Sequence, residues 1–185
     1  MKYSLLALAL FASFAQAGES RGFITLEGEA QNIHGTGNDL RSFNLIPGVK
    51  LDNITYDLKV QAQSKDDHTT SANIEPRVKY DYKVGMTDIT VWGRLGLGEK
   101  IQNDGNFGYY TIEPGVTYGV TKDLKLSLSD RYRDAFADDK AYQTNTVYLG
   151  ATYDVNSFDT VGLKLYRKYN DTESNGVEFA YTRWF

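Results

Sequence analysis

The feature that most constrains the fold is an alternation of apolar and polar side chains, repeated in ten segments of the chain. In the third segment, Tyr56 and Leu58 alternate with Thr55, Asp57 and Lys59. A two-residue period is typical of a β-strand with one apolar face. The predicted strands cover residues 24–30, 43–51, 54–62, 74–82, 89–97, 110–120, 124–128, 147–153, 161–165 and 177–185. The sequence therefore predicts an all-β fold of about ten strands.

The final predicted strand carries a stripe of apolar residues and ends in an aromatic residue. Val177, Phe179 and Tyr181 share one face of this strand, and Phe185 is its last residue. A strand that faces lipid needs such a stripe, with an aromatic ring at the water interface. The stripe resembles the assembly signal of bacterial outer-membrane β-barrels. We therefore expect Phe179, Tyr181 and Phe185 to be bound by the barrel-assembly machinery.

Residues 1–17 have the layout of a secretory signal peptide. Lys2 supplies a positive start, an apolar run follows over residues 5–14, and Ala15-Gln16-Ala17 provides small residues for cleavage. Cleavage after Ala17 is expected to leave residues 18–185 as a single barrel domain. The expected location is the outer membrane of a Gram-negative bacterium.

Two kinds of connection alternate between the predicted strands. Short ones cover residues 52–53, 83–87, 121–123 and 156–159, and longer polar ones cover 32–41, 65–71, 101–107, 136–141 and 170–175. Short periplasmic turns and longer extracellular loops are typical of outer-membrane barrels. The sequence therefore predicts a monomeric transmembrane, antiparallel, up-and-down β-barrel in contact with outer-membrane lipid and lipopolysaccharide. A formal net charge of −4 gives no indication of nucleic-acid binding.

Aromatic residues near the strand ends are predicted to form two interfacial girdles. The periplasmic girdle would contain Tyr56, Tyr80, Tyr82, Tyr118, Tyr153, Trp184 and Phe185, and the outer girdle Tyr109, Tyr110, Tyr132, Tyr142 and Tyr169.

Three prolines occupy similar places in a faint internal repeat. Ile-Glu-Pro occurs at residues 74–76 and 112–114, and Leu-Ile-Pro at residues 45–47. A proline removes one hydrogen bond from a sheet, so each is expected at a bulge or kink. Common ancestry of the hairpins and a common structural kink both account for the repeat.

If the apolar positions face lipid, the alternate positions face the lumen. The basic residues in this phase are Lys50, Lys59, Arg77, Lys79, Arg94, Lys125, Arg131, Arg133, Lys164 and Lys168. The acidic ones are Glu27, Glu29, Asp57, Glu75, Asp81, Glu113 and Glu178. The excess of basic residues favours anions over cations. Charges of both signs could equally pair across a narrow barrel and fill it, because ten strands lie close to the width that side chains alone can fill.

Residues 121–133 form a predicted short turn followed by a strand that ends in Arg131-Tyr132-Arg133. This segment resembles a strand of the small monomeric porins for acidic oligosaccharides, the oligogalacturonate and sialic-acid channels. The resemblance implies a pore lined with basic residues, including Arg131 and Arg133. Members of that family have twelve strands and a longer chain, whereas ten strands are predicted here.

The sequence thus predicts a narrow, porin-like channel for small or linear, preferentially anionic solutes. The alternative is a non-conducting barrel that serves adhesion or membrane integrity. An enzyme is not predicted, because His34 and His68, the two histidines, both lie in predicted outer loops and match no catalytic arrangement. No cofactor is expected, and Asp66-Asp67-His68 is interpreted as a solvated loop tip and not as a metal site.

Overall fold

A computed structural model of the chain describes residues 20–33, 39–65, 68–103, 105–137, 140, 142–170 and 173–185. The predicted cleavage site after Ala17 and the residues His34, Asp66 and Asp67 lie outside this part. Ten antiparallel strands close into a barrel in which each strand pairs with its sequence neighbours and β1 pairs with β10. The strands are β1 (Ser20–Ile33), β2 (Asp39–Leu51), β3 (Ile54–Lys65), β4 (His68–Lys83), β5 (Ile89–Gln102), β6 (Phe107–Gly119), β7 (Leu124–Ala135), β8 (Thr144–Asp154), β9 (Asp159–Asn170) and β10 (Ser174–Trp184). The predicted fold is confirmed.

The two faces of the barrel wall follow the predicted alternation. Leu26, Leu95 and Phe179 are among many large apolar side chains exposed on the outer surface, whereas polar residues such as Glu27 and Glu178 are buried inside. This inverted distribution suits a lipid-facing wall around a polar interior. In the described residues, no helix is long and apolar enough to cross a membrane.

The strands reach further into the predicted long loops than the sequence indicates. β3 ends at Lys65 and β4 begins at His68, so this hairpin takes in most of the predicted loop 65–71. β1 likewise continues to Ile33, and β2 begins at Asp39. Residues 63–71 are polar at every position, and residues 31–33 and 39–42 are mostly polar, so these segments lack the alternation on which the prediction relied. We call the end of the barrel with the turns at 52–53 and 120–123 the periplasmic end and the opposite end the outer end. The outer face is the side of the barrel wall that points away from the lumen.

The strands are strongly staggered. When the pairing register is followed once around the barrel and continued across the gap at Pro114, it leads from Leu51 of β2 back to the same strand at Asp39, a stagger of twelve residues. Such a stagger accompanies strands that are tilted relative to the barrel axis. A row of directly paired residues therefore climbs from the periplasmic end to the outer end as it circles the lumen.

The three prolines interrupt the pairing of the sheet without shifting its register. Ile74 pairs with Glu99 and Arg77 with Gly96, and the two residue positions between them, which include Pro76, are unpaired with β5. The same two-residue gap occurs at Pro47 and Pro114. Of the predicted bulge or kink, the bulge is not found at the prolines, because the register shift in the described strands lies between Gln63 and Ser64. A missing N–H costs one ladder bond, but an extended strand accommodates the ring.

Four glycines on the lumen face each pair directly with an aromatic residue of the next strand. The pairs are Gly48 with Phe23, Gly98 with Tyr109, Gly115 with Trp92, and Gly176 with Tyr166. Each ring lies over its glycine so closely that an added Cβ would meet a ring carbon at 2.1–2.3 Å. Glycine is needed at these positions because of this close approach, which lets the rings lie against the barrel wall.

We predict that Gly98→Ala destabilises the barrel by about 1–3 kcal/mol, because the new methyl group must displace the buried Tyr109 ring. Gly93→Ala on the same strand is the matched control, since a Cβ there meets no atom within 4 Å. Urea unfolding of the two refolded variants in lipid vesicles provides the measurement. Equal stability of the two variants would contradict the role assigned to the ring contact.

Candidate solute pathway in the barrel lumen

The periplasmic half of the lumen contains two adjoining cavities. A cavity of about 310 Å³, which we call the lumen cavity, is lined by residues from all ten strands and therefore lies on the barrel axis. A wider vestibule of about 840 Å³ lies at the periplasmic mouth and shares Lys50 and Trp184 with the lumen cavity. The two spaces form a passage that leads inward from the periplasmic end.

Ion pairs within a strand, between neighbouring strands and between strands two apart organise the wall of this passage. Arg94 Nη1 lies 3.3 Å from a carboxylate oxygen of Glu113. Arg77 Nε lies 2.6 Å from a carboxylate oxygen of Asp57. The further pairs are Lys50–Asp81 at 3.2 Å, Lys79–Asp81 at 2.6 Å, Lys59–Glu27 at 3.7 Å, Lys164–Glu27 at 3.6 Å, Lys164–Glu178, and Lys125–Asp154 at 2.7 Å in the vestibule. Most of these groups face the lumen cavity, which places the charged residues of the predicted inward phase side by side.

The outer half of the lumen is filled with side chains. Glu75 is 2% exposed and accepts hydrogen bonds from the hydroxyl groups of Tyr109, at 3.1 Å, and Thr111, at 2.6 Å. Arg133 lies 4.0 Å from Glu75 and donates to the Tyr142 hydroxyl at 2.9 Å. Tyr109 is fully buried. These residues close the lumen on the side of β4 to β8.

A second network closes the opposite side of the outer half. Glu29 accepts hydrogen bonds from Tyr166 and, at 2.6 Å, from Ser42. Gln61 donates to Ser42 at 3.2 Å and accepts from Asn73 at 2.6 Å. We call Glu29, Glu75, Tyr109, Arg133, Tyr142 and Tyr166 together the outer plug. The plug joins strands that are not direct neighbours, such as β1 with β9 and β4 with β7.

Sequence phase and side-chain position agree for the predicted charged residues. Arg77, Lys79, Arg94, Arg131, Lys59, Lys164, Glu113, Asp57 and Asp81 line the lumen cavity, Lys125 lines the vestibule, and Arg133 and Glu75 lie in the outer plug. The predicted assembly residues Phe179, Tyr181 and Phe185 are exposed on the outer face, and the Phe185 N–H donates to the Gly22 carbonyl oxygen at 2.9 Å.

The prediction of the aromatic girdles is partly wrong. Tyr80, Tyr82, Tyr118 and Tyr153 are exposed on the outer face as expected. Trp184 instead lines the lumen cavity beside Phe23, and Tyr109 and Tyr142 belong to the outer plug. Both Tyr109 and Trp184 occupy the inward phase of their strands. The phase argument would have placed them inside had it been applied to aromatic as well as charged residues.

The five basic residues Lys50, Lys79, Arg94, Arg131 and Lys168 occupy a single inward-facing row of the sheet. Lys79 pairs directly with Arg94, and Thr146 lies between Arg131 on one side and Lys168 on the other. Glu113 is the acidic member of this row. Because of the stagger, the row climbs from the vestibule at Lys50 to the outer half of the lumen at Lys168. We call it the basic row.

The described residues contain no cluster of three or more His, Asp or Glu side chains that could hold a metal ion. His68 begins β4, and its partner in the predicted loop tip, the Asp66-Asp67 pair, lies outside the described residues.

Comparison with known proteins identifies the fold but not a family. No family model and no curated protein matches the chain. The KdgM porin in complex with disordered oligogalacturonate is similar to it with a TM-score of 0.52 at 12% identity, over 87% of this chain and 98% of that one. An outer membrane channel from Pseudomonas putida F1 gives a TM-score of 0.56 at 11% identity, over 90% and 95%. The translocator domain of the autotransporter NalP from Neisseria meningitidis gives 0.52 at 9% identity, over 98% and 94%.

These similarities support the fold of a small outer-membrane barrel that resembles KdgM-type porins. The autotransporter domain shares that fold under a different description, so fold alone does not specify a solute. Any function must be argued from the lumen of this chain.

Proposed function

We propose that this chain is a narrow channel of the Gram-negative outer membrane for small or linear solutes, with a preference for anions. The observation that carries the proposal is the basic row, which places a cation on five of the ten strands along one continuous climb through the lumen. Successive weak sites of one charge favour entry of the opposite charge while still allowing release. KdgM, whose structure is described with oligogalacturonate, offers a precedent for an acidic solute on a similar fold.

The outer plug makes this a gated channel. The lumen cavity and the vestibule occupy the periplasmic half of the lumen, so the plug is the barrier that passage must displace. Its members are held in place by hydrogen bonds between side chains. Side-chain rearrangement within the plug is therefore the opening step that we propose.

The second candidate is a non-conducting barrel with a structural or surface role. The near-complete burial of Tyr109 and Glu75 favours it, because a filled lumen needs no transport function to account for it. The two candidates differ in one measurable property, which is whether ions cross the folded protein.

We expect the refolded protein to produce discrete openings in a planar bilayer. In a KCl gradient, the reversal potential should be shifted toward the equilibrium potential of chloride. Lys79→Gln combined with Lys168→Gln should reduce this preference, because it removes two charges from the basic row while Asp81 keeps Lys50 as its partner. Arg41→Gln combined with Arg167→Gln is the control, since both of these arginines are exposed on the outer face. A silent, correctly folded barrel, or openings without anion preference, would contradict the proposal.

We further propose that the protein acts as a monomer, without a catalytic step or cofactor. Outer-membrane lipid and lipopolysaccharide would surround its apolar face, and the barrel-assembly machinery would bind β10 through Phe179, Tyr181 and Phe185. The outward position of these three residues supports their availability to such a partner.

A further inference from the structure

Arg131 differs from the other cations that line the lumen cavity. Seven basic residues line this cavity, and six of them have a carboxylate oxygen within 4.0 Å: Lys50, Lys59, Arg77, Lys79, Arg94 and Lys164. Arg131 has no such partner and no hydrogen bond among the described residues. A guanidinium carries five donors, so its binding capacity is unused here.

The surroundings of Arg131 explain why no carboxylate of the described residues forms an ion pair with it. Glu113, the acidic residue of the basic row, is held 3.3 Å from Arg94 Nη1 and accepts a hydrogen bond from Ser129 at 3.0 Å. The aromatic ring of Tyr148 lies 5.1 Å from the Arg131 Cζ and supports the guanidinium by a cation–π contact. The Tyr148 hydroxyl also has no hydrogen-bond partner among the described residues, so it is a second available donor beside the same cavity.

The position of Arg131 indicates from which end of the barrel a solute could reach it. The lumen cavity opens through the vestibule to the periplasmic end, whereas the outer plug closes it on the other side. Arg131 and Tyr148 therefore lie at the inner end of a passage that is blocked from outside. A cavity of about 310 Å³ is near the lower limit of pockets that hold small molecules.

We infer that Arg131 and Tyr148 form a binding site for the oxyanion of a small solute that enters from the periplasmic side. A planar guanidinium binds two oxygens of a carboxylate or phosphate at once, and the phenol can donate a third hydrogen bond. The inference rests on the proposed function, because both treat the lumen as a place for anions. It goes beyond that function in assigning the binding group and its periplasmic access.

Binding and access can be tested separately. Calorimetric titration of the folded protein in detergent with inorganic phosphate and with succinate should detect binding, and Arg131→Gln should weaken it by about tenfold or more. Arg41→Gln, which removes an exposed cation from the outer face, should leave binding unchanged. Preference for succinate or for phosphate would identify the oxyanion. Absence of binding to either, or equal binding by Arg131→Gln, would overturn the inference.

Access is measured with Arg131→Cys, because the natural chain contains no cysteine that would react in the background. A membrane-impermeant, anionic thiosulfonate should modify this cysteine when added on the periplasmic side of the oriented protein. It should react far more slowly from the outer side. Equal reaction from both sides would overturn the assigned direction.

These results are independent of conduction. Binding by a protein that never conducts would end the proposed channel function and leave the site intact. Anion-selective conduction without binding at Arg131 would support the channel function and overturn the binding site.

Discussion

Replacing Tyr109 by alanine is expected to convert rare openings into sustained conduction. The fully buried ring and its 3.1 Å hydrogen bond to Glu75 belong to the outer plug, which is the barrier between the lumen cavity and the outer end. Truncation of a buried aromatic residue costs about 3–5 kcal/mol in packed cores. If only 1.4 kcal/mol of this loss falls on the closed state, the ratio of open to closed channels rises by about tenfold.

Tyr110→Ala is the matched control for this experiment. Tyr110 is the next residue of β6, but its ring packs on the outer face against Tyr132 and Phe136. Single-channel recordings of the two variants should differ in open probability, whereas their extent of folding should be similar. A Tyr109→Ala channel that conducts no more than the natural protein would show that the barrier lies elsewhere.

Replacing Asp57 by asparagine is expected to cost about 3–5 kcal/mol of unfolding free energy. Arg77 is paired with Asp57 at 2.6 Å, and the side chains of the two residues are only 7% and 4% exposed. The variant leaves the buried guanidinium without its carboxylate partner, and that desolvated charge is the source of the loss. Equilibrium unfolding by urea in lipid vesicles measures the effect.

Two comparisons separate this effect from a general loss of charge. Asp57→Asn combined with Arg77→Gln should recover part of the stability, because no unpaired charge then remains inside the barrel. Asp123→Asn removes a carboxylate 3.8 Å from the exposed Lys122 ammonium and should cost no more than about 1 kcal/mol. Similar losses in Asp57→Asn and Asp123→Asn would refute the view that the inward ion pairs stabilise the barrel.

The sequence predicts this fold well because lipid and lumen impose opposite chemistry on alternate residues. Thr55, Asp57 and Lys59 could be assigned to the inner face from their phase alone, and the structure has the side chains of all three there. Strand ends were less predictable, since the residues near Lys65 and His68 are polar on both faces. Pairing beyond the apolar band continues without any hydrophobic signal.

Contacts across the lumen could not be predicted from phase. Whether Glu75 contacts Tyr109 or another inward residue depends on the stagger between strands. The sequence of a single strand does not determine that stagger. The absence of a carboxylate partner for Arg131 among the described residues was also not predictable, because Glu113 is already engaged by Arg94 and Ser129. The face on which each residue lies was predictable from the sequence. The contacts between inward-facing side chains could be identified only from the structure of the closed barrel.

The seam between β1 and β10 has a kinetic consequence. It joins residues as distant in the chain as Phe23 and Trp184, so its formation carries the largest loop-closure entropy of any strand pair in the barrel. Glu27 and Glu29 of β1 reach past β10 to Lys164 and Tyr166 of β9, so these contacts form only when the seam closes. Contacts that are absent from the folding transition state act mainly on the unfolding rate. We therefore expect substitution of these two carboxylates to change the unfolding rate of the closed barrel more than its folding rate.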